Sequence, residues 1–185
     1  MTFDPKCFFA EFRNSLNLSR GRDLVAKTYN ADDTLRIFEA VDAACKAQPE
    51  HFPVEGKSYW NGTTKDREFL CDYTYHDPNH RILLSLESEW GVLSSPSRTT
   101  EEVIFDFKKV INMASPVKIM VFAYVDKDNE KSTRKAMADI VRKWPQDRLE
   151  TLMAIACPWH DELHAGSIAG YHWHKGEWEP IPASS

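Results

Sequence analysis

The sequence lacks three features that would assign it to a familiar class: a long apolar run, a pair of closely spaced cysteines and an excess of basic residues. The richest apolar stretch, 117–125, is much too short to cross a bilayer, and the first ten residues lack a charged region followed by an apolar one. The four cysteines lie far apart with no CxxC pair, which favours reduced thiols over disulfides. We therefore expect a cytoplasmic protein that is neither exported nor embedded in a membrane.

The formal net charge of -5 at pH 7 gives the chain no overall basic surface of the kind typical of nucleic-acid-binding proteins. A local basic groove would be hidden in that sum. Internal repeats, low-complexity tracts and linkers are also absent. A length of 185 residues with 42% hydrophobic residues matches one ordinary globular domain, so we expect residues 1–185 to fold as a single domain.

Hydrophobic periodicity predicts an α/β domain in which two helices precede the sheet. The predicted order is α-α-β-β-α-β-α-β-β, and a tail follows from residue 180. Asp32 and Asp33 lie in the first turn of the second helix, ahead of its apolar positions, and Thr99 to Glu102 form a capping-box start for the third. The predicted elements are helices over 5–16, 31–47, 99–114 and 129–144, and strands over 67–75, 81–90, 117–125, 150–157 and 167–174.

Two glutamates, Glu87 and Glu89, share one face of the predicted strand 81–90. Asp72 on the preceding strand comes opposite Glu87 if the two strands form a hairpin with a loop of about six residues. Like charges this close raise each other's pKa, so such a cluster persists most easily when a divalent cation neutralises it. An all-oxygen ligand set is typical of Mg²⁺ or Mn²⁺ sites.

The predicted helix that follows offers a cationic partner for these acids. Asp106 and Lys109 are three residues apart and lie on one helix face, whereas Phe107 and Val110 face the core. With a metal-bound water as nucleophile and an ammonium group near the developing negative charge, these residues have the parts needed to hydrolyse a phosphodiester.

Each of these features also has an ordinary interpretation. Glu87 and Glu89 have the pattern of a half-exposed antiparallel strand whose charged residues face solvent. Asp106 and Lys109 have the spacing of an exposed helix pair that contributes only a few tenths of a kcal/mol, about 0.3. The functional prediction therefore depends on their conjunction.

The order of the elements and the placement of the acids resemble the core of the restriction-endonuclease-like, or PD-(D/E)XK, nuclease superfamily. In that family, an acid on the second core strand and an acid on the third bind Mg²⁺, and a lysine two positions later assists catalysis. Asp72 and Glu87 match the acid positions, with a separation usual for the family. Three segments are similar to signature blocks of uncharacterised bacterial members: Arg-Glu-Phe-Leu-Cys-Asp at 67–72, Leu-Glu-Ser-Glu-Trp-Gly at 86–91 and Asp-Phe-Lys-Lys at 106–109.

The chain departs from this pattern at Glu89, which stands where the family has lysine. Some members of the fold draw the lysine from the next helix, which implies Lys109, or else Lys108, for that role. The resemblance thus implies a three-layer fold with a mixed sheet and a Mg²⁺-dependent nuclease, with Mn²⁺ as the other candidate ion, acting on DNA or RNA. Asp72, Glu87 and Glu89 would be metal ligands and Lys109 would assist. The alternative is an inactive binding or assembly module; the oligomeric state, a dimer included, stays open.

Two other assignments stay open within the resemblance. Residues 103–110 also fit the period-two alternation of a strand. That strand would make 106–108 the (D/E)-x-K tripeptide, although the capping box at Thr99 favours a helix. A slipped hairpin would replace Asp72 with Glu68, because a register change exchanges strand faces.

The histidine-rich tail suggests a separate zinc site. Its candidate ligands are Cys157, His160 and His164, followed by His172 and His174. The Cys-x2-His-x3-His spacing matches no standard zinc finger, and surface histidines near a strand turn also account for the pattern.

Overall fold

The computed structural model describes residues 3–19, 31–48, 52, 57–60, 71–91, 94–145, 150–158 and 168–182. Within them, the helices are α1 (Pro5–Ser19), α2 (Ala31–Lys46), α3 (Pro96–Asn112) and α4 (Lys127–Val141). The strands are β1 (Lys57–Trp60), β2 (Tyr73–His76), β3 (Ile82–Glu89), β4 (Val117–Tyr124), β5 (Thr151–Pro158), β6 (Ala169–His174) and β7 (Glu177–Ile181).

The strands form one mixed sheet whose spatial order, β1 to β7, follows the chain. The central pairs β3–β4 and β4–β5 are parallel, and the outer pairs are antiparallel. Parallel neighbours need a crossover connection, and α3 and α4 provide one for each central pair. The predicted α/β class is confirmed.

Strand β4 is buried along its whole length because helices cover both faces of the sheet. Ile119 and Val121 pack into the core formed with α1 and α2, whereas Met120 and Phe122 pack into the core formed with α3 and α4. A strand buried on both faces reads as a nearly continuous apolar run, which explains why the sequence identifies β4 so clearly.

The predicted order omits the first and last strands. Pro180 and Ile181, which we expected in a tail, belong to β7. Lys175 and Gly176 both have positive φ values, 48° and 90°, as a two-residue hairpin turn between β6 and β7 requires. Short edge strands of this kind carry little periodic signal, and the glycine of the turn was the only local indication of a hairpin.

Helix α3 begins at Pro96, three residues before the predicted start, so the capping box at Thr99 is wrong. Ser95 is the N-cap residue, and the missing N–H of proline costs nothing in the first turn. Thr99 instead donates hydrogen bonds from its N–H and its Oγ1 to the Ser95 carbonyl. Because 103–110 is helical, the alternative that makes 106–108 a strand tripeptide is also wrong.

All four cysteines are free thiols, and Cys45, Cys71 and Cys157 are buried. None of the helices in the described ranges combines the length and the apolar character needed to cross a bilayer.

Helix α1 lies so close to β6 that position 170 tolerates only glycine. A Cβ there would lie 2.7 Å from the ring of Phe9. We expect Gly170→Ala to lower the free energy of unfolding by about 1–3 kcal/mol, measured by chemical denaturation, because the added methyl group overpacks this contact. The same substitution in a Phe9→Leu background should cost less, and equal costs in both backgrounds would show that the contact is not responsible.

Candidate active site

The β2–β3 hairpin places Asp72 beside Glu87. Tyr73 pairs with Leu86, and continuing this register by one residue brings Asp72 opposite Glu87. The Asp72 Oδ2 accepts a hydrogen bond from the Ser88 backbone N–H at 3.0 Å, which holds the aspartate against β3. This is the register predicted from the sequence; Glu68, the alternative acid, lies outside the described residues.

Glu87 and Glu89 project from β3 toward α3. The Glu87 side chain is only 2% exposed, so the interpretation of Glu87 as part of a solvated strand face is wrong. The Nζ of Lys109 lies 3.2 Å from Glu87 Oε1 and 2.6 Å from Asp106 Oδ1. We call Asp72, Glu87, Glu89, Asp106 and Lys109 the acidic site.

Helix α3 presents Asp106 and Lys109 to β3 because its apolar stripe fixes its rotation. Phe107 and Val110 are fully buried, and the next positions around the helix carry Asp106 and Lys109. Phe105 lies on the open side and is 67% exposed, with its ring centroid 5.7 Å from the Lys109 Nζ. The helix therefore brings one cation and one exposed aromatic ring to the rim of the acidic site.

The turn after β3 fixes Glu89. The Gly91 N–H donates a hydrogen bond to Glu89 Oε1 at 2.6 Å. Gly91 has φ +64°, and a Cβ at this position would lie 2.5 Å from the Thr99 Cγ2. A residue with a side chain would be strained in this backbone and would collide with α3, so the position of Glu89 depends on glycine.

The four carboxyl groups form two pairs. Glu87 is hydrogen-bonded to Asp72, and Glu89 is hydrogen-bonded to Asp106. Within the described ranges, the acidic site does not bring three ligand atoms within 4.8 Å of one another. The three predicted metal ligands are therefore divided, with Asp72 and Glu87 in one pair and Glu89 in the other. Asp106, expected only as a neighbour of the lysine, is the partner that sequence reasoning missed; its spacing of three residues from Lys109 was the available signal.

Burial shifts the pKa values of both glutamates upward. Burial, reinforced by the charge and hydrogen bond of Asp72, raises the pKa of Glu87 to about 9. Burial and the hydrogen bond with Asp106 raise the pKa of Glu89 to about 7, although the Gly91 N–H opposes this shift. Without a cation, Glu87 therefore carries a proton at neutral pH.

Lys109 keeps its positive charge in this environment. Burial alone would lower the pKa of Lys109, but the hydrogen bond with Asp106 and the charge of Glu87 raise it above its ordinary value. Asp106 is the nearer partner, at 2.6 Å against 3.2 Å, so the ammonium group stays charged even when Glu87 is protonated.

Glu130 is a second buried glutamate, and it has the hydrogen-bond donors that Glu87 lacks. The Glu130 side chain is 4% exposed and accepts hydrogen bonds from Lys127 at 2.8 Å, from Arg134 at 3.1 Å and from the Tyr171 hydroxyl. Burial would raise the pKa of Glu130, but these donors lower it below its ordinary value. Glu87 Oε1, by contrast, has among the described residues a single cationic neighbour, the Nζ of Lys109 at 3.2 Å, which it shares with Asp106. The acidic site therefore has room for positive charge at Glu87, which is the condition for holding a divalent cation.

Of the tail residues predicted as zinc ligands, the structure describes Cys157, His172 and His174. Cys157 lies in the core formed with α1 and α2, and His160 and His164 are outside the described residues. His172 and His174 lie on β6 with their ring centroids 5.4 Å apart.

Comparison with known proteins adds no assignment. The chain matches no protein-family model, no curated protein and no solved structure.

The raised pKa of Glu87 predicts a pH dependence of stability. A carboxyl group whose pKa is higher in the folded state than in the unfolded state stabilises the fold while it is protonated. For Glu87, this contribution is fully present below the unfolded pKa of about 4.5. It is lost as the pH rises through the folded pKa of about 9. We expect the free energy of unfolding, measured without divalent cations, to fall between about pH 5 and pH 9. Glu87→Gln should flatten this fall and make the protein more stable than wild type near pH 8.

Glu89 shifts in the same direction with a pKa of about 7, so a smaller decline should persist in the Glu87→Gln protein. Glu101→Gln, which replaces an exposed carboxylate on the same helix α3, provides the control and should leave the profile unchanged. Identical profiles for wild type and Glu87→Gln would contradict a perturbed Glu87.

Proposed function

We propose that this chain is a Mg²⁺- or Mn²⁺-dependent nuclease of the PD-(D/E)XK superfamily that hydrolyses phosphodiester bonds of DNA or RNA. The observation that supports this most directly is the position of Lys109, whose Nζ lies 3.2 Å from the buried Glu87. Position 89 carries glutamate where the family has lysine, and Lys109 of α3 would supply the missing ammonium group beside Glu87.

Asp72 and Glu87 are the residues proposed to hold the ion. Mg²⁺ keeps several waters and is commonly held by one or two carboxylates together with substrate phosphate oxygens, so a pair is sufficient. Glu87 Oε1 is a buried oxygen whose cationic neighbour, the Lys109 Nζ, is 3.2 Å away, and the ion would take the place of the proton that Glu87 carries. When bound, a divalent cation would polarise the scissile phosphate and lower the pKa of a water.

Lys109 and Glu89 have the remaining roles in the proposal. The ammonium group of Lys109, anchored by Asp106, stabilises the negative charge that develops on the phosphate oxygens as water attacks phosphorus. The attacking water must lose a proton, and a carboxylate with a pKa of about 7 is suited to accept it at neutral pH. Glu89 is held for this role by the Gly91 N–H. The bond from phosphorus to the leaving oxygen then breaks.

Phe105 is the proposed contact for the substrate outside the reacting phosphate. Its side chain is 67% exposed beside the charged cluster, so the face of the ring is accessible to a substrate. An aromatic ring stacks on a nucleic-acid base without sequence preference, and the neighbouring Lys109 lies within reach of the adjacent phosphate.

One feature favours the alternative of an inactive binding or assembly module, namely the glutamate at position 89 where the family has lysine. The two proposals differ in a measurable way. An inactive module would show neither divalent-cation binding at Asp72 and Glu87 nor cleavage.

The nuclease proposal is tested by incubating the purified protein with Mg²⁺ or Mn²⁺ and with single- and double-stranded DNA and RNA. We expect cleavage that Lys109→Met reduces by a factor on the order of 10²–10³, the loss typical for removing one charge-stabilising donor. Glu87→Gln should reduce it at least as much. Lys108→Met, which removes an exposed neighbouring charge on α3, is the matched control and should retain activity. Cleavage that survives in Glu87→Gln would remove the assignment.

The role of Phe105 is tested with the substrate that the wild type cleaves. Phe105→Ala should raise KM roughly tenfold with little change in kcat, because stacking contributes about 1–3 kcal/mol per base. Phe105→Trp, which keeps a stacking surface, should restore the wild-type KM. An unchanged KM in Phe105→Ala would show that the ring does not meet the substrate.

A further inference from the structure

The β6–β7 hairpin carries a second group of ligand-type side chains, away from the acidic site. His172, His174 and Glu179 each offer one ligand atom, and these atoms all lie within 4.8 Å of one another. In the ranges that the structure describes, this is the one set of three metal-ligating side chains that converges in this way.

The strand register explains the convergence. His172 and His174 are two residues apart on β6 and therefore point to the same face, and Glu179 of β7 lies directly opposite His172. The Nδ1 of His174 is 2.9 Å from Glu179 Oε1, and the two imidazole rings are stacked with an interplanar angle of 21°.

The opposite face of the same hairpin is anchored in the core. Trp173 and Trp178 form an edge-to-face pair with ring centroids 5.2 Å apart, and both pack against the core beneath α3 and α4. The Trp178 Nε1 donates a hydrogen bond to the Arg134 carbonyl at 3.1 Å. The backbone that carries the two histidines is therefore held in place from behind.

We propose that His172, His174 and Glu179 form a zinc site. Two imidazoles and one carboxylate are ligands that Zn²⁺ takes and that Mg²⁺ does not prefer. Zn–N distances of about 2.0–2.1 Å put tetrahedral ligand atoms roughly 3.3 Å apart, which is inside the 4.8 Å limit within which the three ligand atoms lie. His174 and Glu179 are 46% and 44% exposed, so their side chains have room to adjust to an ion. Their exposure also leaves the fourth position to water.

The zinc site is separate from the acidic site. Gly170 contacts Phe9 of α1, and His172 and His174 follow it at alternate positions, so they lie on the α1 face of the sheet. Glu87 and Glu89 lie on the opposite face, beneath α3. Zinc would join β6 to β7, the last strand of the sheet, and its binding does not depend on the proposed nuclease activity.

The test is a titration of the purified full chain with Zn²⁺ by calorimetry in the presence of excess Mg²⁺. We expect one Zn²⁺ per chain and a rise in Tm, because a metal bound only by the folded state stabilises it. Co²⁺ in place of Zn²⁺ should give the absorption bands of a four-coordinate centre. His172→Ala and His174→Ala should each weaken binding at least tenfold, and Glu179→Gln should also weaken it.

Two matched variants complete the experiment. Glu177→Gln removes the same charge from the same face of β7, two residues before Glu179 and opposite His174, and should keep wild-type Zn²⁺ affinity. Glu87→Gln should also keep it, which separates this site from the acidic one. Unchanged affinity in a folded His172→Ala/His174→Ala double variant, or the absence of Zn²⁺ binding by the wild type, would overturn the proposal. Equal losses in Glu177→Gln and Glu179→Gln would overturn the three-residue ligand set.

Discussion

A carboxylate can be buried in a protein only when positive charge or hydrogen-bond donors replace the water that it loses. Glu130 meets this condition with donors from α4 and β6, and it joins those two elements. Glu87 is buried as deeply and lies beside Asp72, and the cation that meets it among the described residues is the shared ammonium group of Lys109. The acidic site is therefore stable with a proton or with an added cation, and the chemistry proposed for it follows from that shortage of positive charge.

The sequence predicted the parts of the acidic site that depend on short-range rules. Asp72 and Glu87 were expected to meet because a hairpin with a usual loop length pairs them, and Lys109 was expected near them because its spacing from Asp106 sets one helix face. The pairing of Glu89 with Asp106 was not predicted. It depends on the height of α3 above β3, which packing and the Gly91 turn determine together, and no periodic pattern encodes that distance.

The elements of the fold also divide into those that short-range sequence patterns predicted and those that they did not. Strand β4 and the four helices have strong apolar patterns, and the sequence identified them with shifts of a few residues at their ends. Strands β1 and β7 are short and lie at the edges of the described sheet, so each offers few positions in which a periodic pattern can be counted. The early start of α3 was missed because Pro96 acts through its fixed φ rather than through a capping side chain.

Because the sheet is built in chain order, every residue of the acidic site comes from the stretch between Asp72 and Lys109. The two sides of the site are thus close in sequence, and little chain entropy is lost in bringing them together during folding. The last two strands contribute none of these residues. Evolution can therefore lengthen, replace or recruit the β6–β7 end for another purpose without rebuilding the chemistry at the centre.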